Sequence, residues 1–180
     1  MKKGDTRRLV FCALFTALIA VFSQLQLPIG PVPVSLATLG VMLCGLLLGW
    51  RYGALAVVTY ILLGAVGVPV FAGFQGGVGR LIGPTGGYIL GYLFSVLLSG
   101  LNIPLLQERF RGRCLLLILG TAACYLPGTA WFMHSTGRTL SESLSLCVLP
   151  FLPGDAAKIL LASFLAPRLR KALQIGKNER

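Results

Sequence analysis

Residues 144–167 read LSLCVLPFLPGDAAKILLASFLAP, a run of bilayer-spanning length that is apolar at nearly every position except Asp155 and Lys158. Three residues apart on an α-helix, the two side chains share one face and point into the same space. A charge at bilayer depth costs several kcal/mol and survives where it faces a bundle interior or a polar ligand. Two readings fit the pair. It is a self-satisfied ion pair that fixes helix packing, or it is a substrate site in the last helix, dividing a ligand that carries both donors and an acid.

Composition places that pair in a membrane. Of 180 residues, 56% are hydrophobic and 12% charged; a soluble domain carries roughly twice that charged share. The length leaves room for one compact domain, residues 1–180. A net charge of +11 would suggest nucleic acid in a soluble protein, but here the basic residues flank apolar runs. No basic stretch interleaved with aromatics offers a nucleic-acid surface, so the charge is a topology signal. Cys12, Cys44, Cys114, Cys124 and Cys147 lie in or at the ends of apolar runs without CxxC spacing. They read as small buried hydrophobes, with no metal site or disulfide framework.

Six apolar segments follow along the chain, at about 9–27, 35–49, 53–70, 86–106, 114–132 and 144–165. The expected fold is an all-α integral membrane protein, a six-helix bundle with a short second helix. The opening MKKGDTRR resembles a secretory signal, but no small-x-small exit precedes Gln24, so the first run is read as a retained span. In PIGPVPVS, Pro28, Pro31 and Pro33 forbid regular helix and favour an extended, rigid loop.

Charge then sets orientation. Lys2, Lys3, Arg7, Arg8, Arg51, Arg109, Arg111, Arg113, Arg168, Arg170, Lys171, Lys177 and Arg180 fall on one side of a six-span arrangement, 13 of the 16 basic residues. Arg80 and Arg138 fall on the other, and Lys158 lies within a span. The positive-inside rule puts both termini in the cytoplasm.

The outer loops are then the Pro-rich segment, the Gly-rich VPVFAGFQGGVGRLIGPTGGY at 68–88, and FMHSTGRTLSES at 132–143. Seven glycines between Gly73 and Gly87 allow close backbone approach and suit a loop folded over a ligand. Irregular backbone near membrane depth is tolerated where it is buried or lines a cavity. Phe71, Phe74 and Tyr88 would supply apolar walls, and Gln75, Arg80 and Thr85 hydrogen bonds. The plainer alternative is a surface linker.

The run PVPVSLATLG…GPTGGYILGY, residues 31–92, together with PFLPGDAAK at 150–158, resembles the BioY family, the biotin-specific S-components of energy-coupling-factor (ECF) transporters. GPTGGY and PGDxxK carry most of the likeness. The resemblance implies a six-helix substrate-binding subunit in the bacterial cytoplasmic membrane that captures biotin from outside. It also implies that a coupling transmembrane protein and ATPase subunits on other chains drive transport. The chain has no G-x-x-x-x-G-K-[ST] run of its own to cradle ATP phosphates. Ala13 and Ala17 have the four-residue spacing that brings helices together in lipid. The family carries a similar patch on helix one that docks on the coupling protein; packing inside this chain's own bundle is the alternative.

Biotin offers a fused apolar ring and thioether, a ureido group with two N–H donors and a carbonyl, and a carboxylate. The resemblance assigns Asp155 and Lys158 to its site. Asp155 suits the ureido N–H groups, while Lys158 suits the carbonyl or the acid. Gln75 and Arg80 are further candidates for the site, Arg80 to attract or hold the carboxylate, and a lipid headgroup contact is the other reading of Arg80. No cofactor is expected besides the transported ligand. His134 is the sole histidine, and neither G-x-S-x-G nor H-E-x-x-H occurs, so an enzyme is not expected. A stand-alone secondary carrier is the rival reading, although no inverted repeat is visible. An S-component for a different vitamin is the other.

Overall fold

The computed structural model describes residues 3–27, 32 and 34–173. Pro28, Pro31 and Pro33, and the basic residues Lys2, Lys177 and Arg180, lie outside them. The elements in chain order are α1 (Lys3–Gln24), β1 (Gln26–Leu27), β2 (Val34–Ser35), α2 (Ala37–Ala65), α3 (Val78–Ile82), α4 (Gly86–Ser99), α5 (Pro104–Glu108), α6 (Phe110–Thr136), α7 (Leu140–Cys147) and α8 (Leu152–Ala172). The two strands form a short antiparallel ladder, Gln26 opposite Ser35 and Leu27 opposite Val34. Everything else of consequence is helix.

The expected second and third spans form a single helical assignment broken at Gly49, whose φ of 74° and ψ of 178° leave the helical region. Only glycine takes that conformation without strain. A Cβ built on Gly53 would stand 3.5 Å from the Gly45 Cα, eight positions that a straight helix would hold about 12 Å apart. The chain therefore doubles back into two arms, residues 37–48 and 50–65. The first arm is about 18 Å long, well short of a ~30 Å hydrocarbon core. It is nevertheless stable because it is buried on all sides: Leu39, Val41, Met42, Leu43, Cys44, Leu46 and Leu47 are all in the core. Interior burial removes the need for spanning length.

Other boundaries also differ from the sequence expectation. The first helix stops at Gln24, where the short ladder begins, and the third span stops at Ala65. The fourth ends at Ser99, not 106. There the Gly100 carbonyl accepts from the Trp50 amide at 2.9 Å, which seats the end of α4 on the Gly49 turn, and Pro104 starts a separate helix. The sixth is a bent pair, α7 and α8 meeting at 51°. Pro150 and Pro153 account for the break, since neither can donate within a helix. A capping box of Thr139 and Glu142 starts α7.

Counting the arms of α2 separately and α7–α8 together gives the six-helix integral membrane bundle the sequence implied. Thr6–Gln24 and Phe110–Thr136 are long and apolar enough to cross a membrane, Ala37–Ala65 is so only with its two arms taken together, and α7–α8 adds a fourth such stretch. Helices α4 and α6 approach closely through small residues. A Cβ on Gly91 would lie 2.8 Å from the Cys124 carbonyl oxygen, and one on Gly120 2.9 Å from that of Ser95. Buried hydroxyls cross-link the rest: Thr16 Oγ1 donates to the Ala56 carbonyl at 2.9 Å.

The charged connections gather at one end. Arg7 donates to the Leu173 carbonyl at 2.6 Å. Arg170 donates to the carbonyl of Leu46 and to Gln107 Oε1, and Arg113 to the carbonyls of Ser163 and Gln107. The Gly-rich loop lies at the opposite end.

Candidate substrate site

Gln24, the last residue of α1, fixes the Gly-rich loop. Its Nε2 donates to the carbonyls of Val70 and Phe71, each at 3.2 Å, and its Oε1 accepts the Phe74 amide at 2.8 Å. Phe71 and Gln75 pair through their backbones. Phe71 is thereby pressed inward against the face of Gly64, where any Cβ would run into the ring, and it stands edge-on to Tyr60 with centroids 5.5 Å apart. The loop is anchored at its base and packed beneath, so it is a lid over the bundle and not a linker.

Beneath it lies a small cavity, open at its mouth. Phe71 and Arg80 from the loop, Tyr88 and Tyr92 from α4, Tyr60 from α2 and Ser23 from α1 are among its lining residues. Ser23 and Tyr60 share a hydroxyl–hydroxyl hydrogen bond of 2.8 Å, and Tyr88 and Thr129 share one of 3.1 Å. Aromatic faces with a few fixed hydroxyls and one guanidinium suit an apolar ring system bearing polar ends.

Asp155 and Lys158 lie on α8, buried at 3% and 6% exposure. Lys158 Nζ donates to Asp155 Oδ1 at 3.0 Å and to Thr38 Oγ1 at 3.0 Å. The second carboxylate oxygen, Oδ2, accepts the hydroxyl of Tyr125 on α6. Tyr125 stands edge-on to Tyr88, with centroids 6.4 Å apart and planes at 77°. The ion pair thus sits directly behind the tyrosine wall of the cavity.

Of the residues nominated from sequence, Phe71, Arg80, Thr85 and Tyr88 reach the cavity, and Asp155, paired with Lys158, connects to Tyr88 through Tyr125. Phe74 and Gln75 do not. Phe74 is 72% exposed with φ of 55°, and Gln75 is also exposed, because the tight turn between Phe71 and Gln75 throws both side chains outward. Ala13 and Ala17 face out of the bundle, beside exposed Val10, Leu14 and Val21. The alternative that they pack within the chain is therefore set aside. Gln24, Tyr60, Tyr92, Thr38 and Tyr125 had not been nominated. The four-residue spacing of Tyr88 and Tyr92, and hydroxyls inside apolar runs, were the available signals. Among the described residues, no cluster of three His, Cys, Asp or Glu side chains is placed to hold a metal.

The model of the BioY family matches residues 1–175. The chain belongs to the BioY family. Among its BioY relatives, the probable biotin transporter BioY of Pyrococcus horikoshii is 40% identical over 158 residues, covering 88% of this chain and 93% of that one. The biotin transporter BioY of Thermotoga maritima is 38% identical, covering 92% and 96%. A crystal structure at 2.1 Å of the S-component for biotin from an ECF-type ABC transporter superimposes with a TM-score of 0.88 at 32% identity, covering 95% of this chain and 94% of that one. The bent last helix, the folded-back α2 and the lid described above therefore belong to a BioY fold, and the chain is a multi-pass membrane protein.

Proposed function

We propose that this chain is a biotin-binding S-component, a substrate-binding transport subunit that takes biotin at the end of the bundle under the Gly-rich lid. One observation carries the reading: a buried carboxylate–ammonium pair set immediately behind an aromatic, hydroxyl-bearing cavity whose mouth holds Arg80. The names of its relatives support the same ligand. Asp155 accepts the ureido N–H groups and Lys158 donates to the ureido carbonyl. Phe71, Tyr88 and Tyr92 cover the ring faces, and Arg80 holds the carboxylate. Phe74 and Gln75 keep a part only through their backbone, by shaping the lid.

The basic end, with Arg7, Arg51, Arg113 and Arg170, faces the cytoplasm by the positive-inside rule, so both termini are cytoplasmic and the lid opens outward. A coupling transmembrane protein and ATPase subunits supply the energy, docking on the outward alanines of α1. The membrane is the cytoplasmic membrane, and one 180-residue domain performs the binding.

Calorimetry on the detergent-solubilised chain tests this. Biotin binding at one site per chain, with thermal stabilisation, is expected. No heat and no stabilisation at saturating biotin would overturn it.

A further inference from the structure

We propose that the Tyr125 hydroxyl is a built-in stand-in for the ligand, occupying on Asp155 the position that a ligand N–H takes when the site fills. This rests on the reading of the cavity and ion pair as the biotin site. Three observations meet at Tyr125. Its hydroxyl donates to Asp155 Oδ2 while Lys158 holds Oδ1, so both oxygens are engaged. Its ring is edge-on to Tyr88, which forms part of the cavity wall. Asp155, Lys158 and Tyr125 themselves do not line the cavity. A ligand that comes from the cavity past Tyr88 to Asp155 Oδ2 meets the Tyr125 hydroxyl there.

The chemistry explains why such a stand-in is needed. A buried carboxylate left with an unengaged oxygen carries a desolvation penalty. A phenol hydroxyl offers one donor, as a ligand N–H does, and a side-chain rotation releases it. An ionised carboxylate has lone pairs for more than two donors, so the exclusion is one of access and not of valence. Of the two donors on Asp155, Lys158 is also tied to Thr38, whereas the Tyr125 hydroxyl has a hydrogen bond to Asp155 alone among the described contacts. Tyr125 is the partner that yields. It is a positioning residue that competes with the ligand.

Tyr125→Phe tests the exchange, because a competitor and an ordinary contact residue give opposite signs. Removing a competitor destabilises the empty protein and leaves the filled one intact, so biotin should bind about tenfold tighter, about 1.4 kcal/mol. The melting temperature of the ligand-free variant should fall, and biotin should restore it to the level of saturated wild type. Affinity that is unchanged or weakened overturns the proposal, as does an unchanged ligand-free melting temperature. Should Tyr125→Phe fail to fold, 3-fluorotyrosine at position 125 gives a second readout. Its fluorine resonance should move on biotin addition, and an unmoved resonance overturns the exchange. Failure of wild type to bind biotin would instead strike the functional reading. The ligand-free melting temperature separates the two, since it judges the Tyr125–Asp155 contact without any ligand.

Discussion

Lys158 on α8 donates to Thr38 in the first turn of α2, Nζ to Oγ1 at 3.0 Å, across 120 residues of chain. The same ammonium pairs with Asp155. One buried cation thereby ties the last helix to the fully buried short arm of α2 and holds the carboxylate behind the cavity. In the proposed reading, structure and ligand binding draw on the same contacts, and substitution separates the two.

Asp155→Asn keeps size but loses the charge and exchanges one acceptor oxygen for a donor. Charge-assisted hydrogen bonds contribute about 1.5–3 kcal/mol, so biotin affinity should fall by about ten- to a hundred-fold with the helix content unchanged. Lys158→Ala should weaken binding and also lower the melting temperature, because the Thr38 tie is lost. The double variant should be less impaired than the sum of the two. Calorimetry and thermal melts on the four proteins decide the matter; single variants that bind like wild type while only stability drops would make the pair structural.

Gly64→Ala should disable the lid from below. The added Cβ meets the Phe71 ring, and overpacking of this kind costs about 1–3 kcal/mol. Phe71 must then leave its place in the cavity lining, so binding should weaken along with stability. Adding Phe71→Leu should recover much of the melting temperature by vacating the clash. A Gly64→Ala protein as stable as wild type would show that the ring moves at no cost.

Ala13→Trp and Ala17→Trp should leave the isolated chain folded and able to bind biotin, since both positions face outward. Recovery of a coupling subunit in pull-downs, and uptake by cells, should be lost. Variants that still assemble and transport would move the docking surface to the basic end, around Arg51 and Arg111.

The sequence by itself determined the membrane class, the six-helix count, the clustering of basic loops and the buried charged pair in the last helix. These are properties of neighbouring residues: an apolar run, a charge flanking it, and a three-residue spacing on one helix are all written linearly. The break at Gly49 was legible too, since the apolar runs 35–49 and 53–70 part there. The tertiary structure alone decided the rest. The burial that lets so short an arm stand is a fact of packing that no local window contains. Phe74 and Gln75 point outward because Gln24, about 50 residues earlier, grips the loop and sets its turn. Tyr125 meets Asp155 across 30 residues only because α6 and α8 are packed together. A cavity is the space left between distant segments, so the walls supplied from outside the Gly-rich loop, by Ser23, Tyr60 and Tyr92, could be named only once those segments were in place.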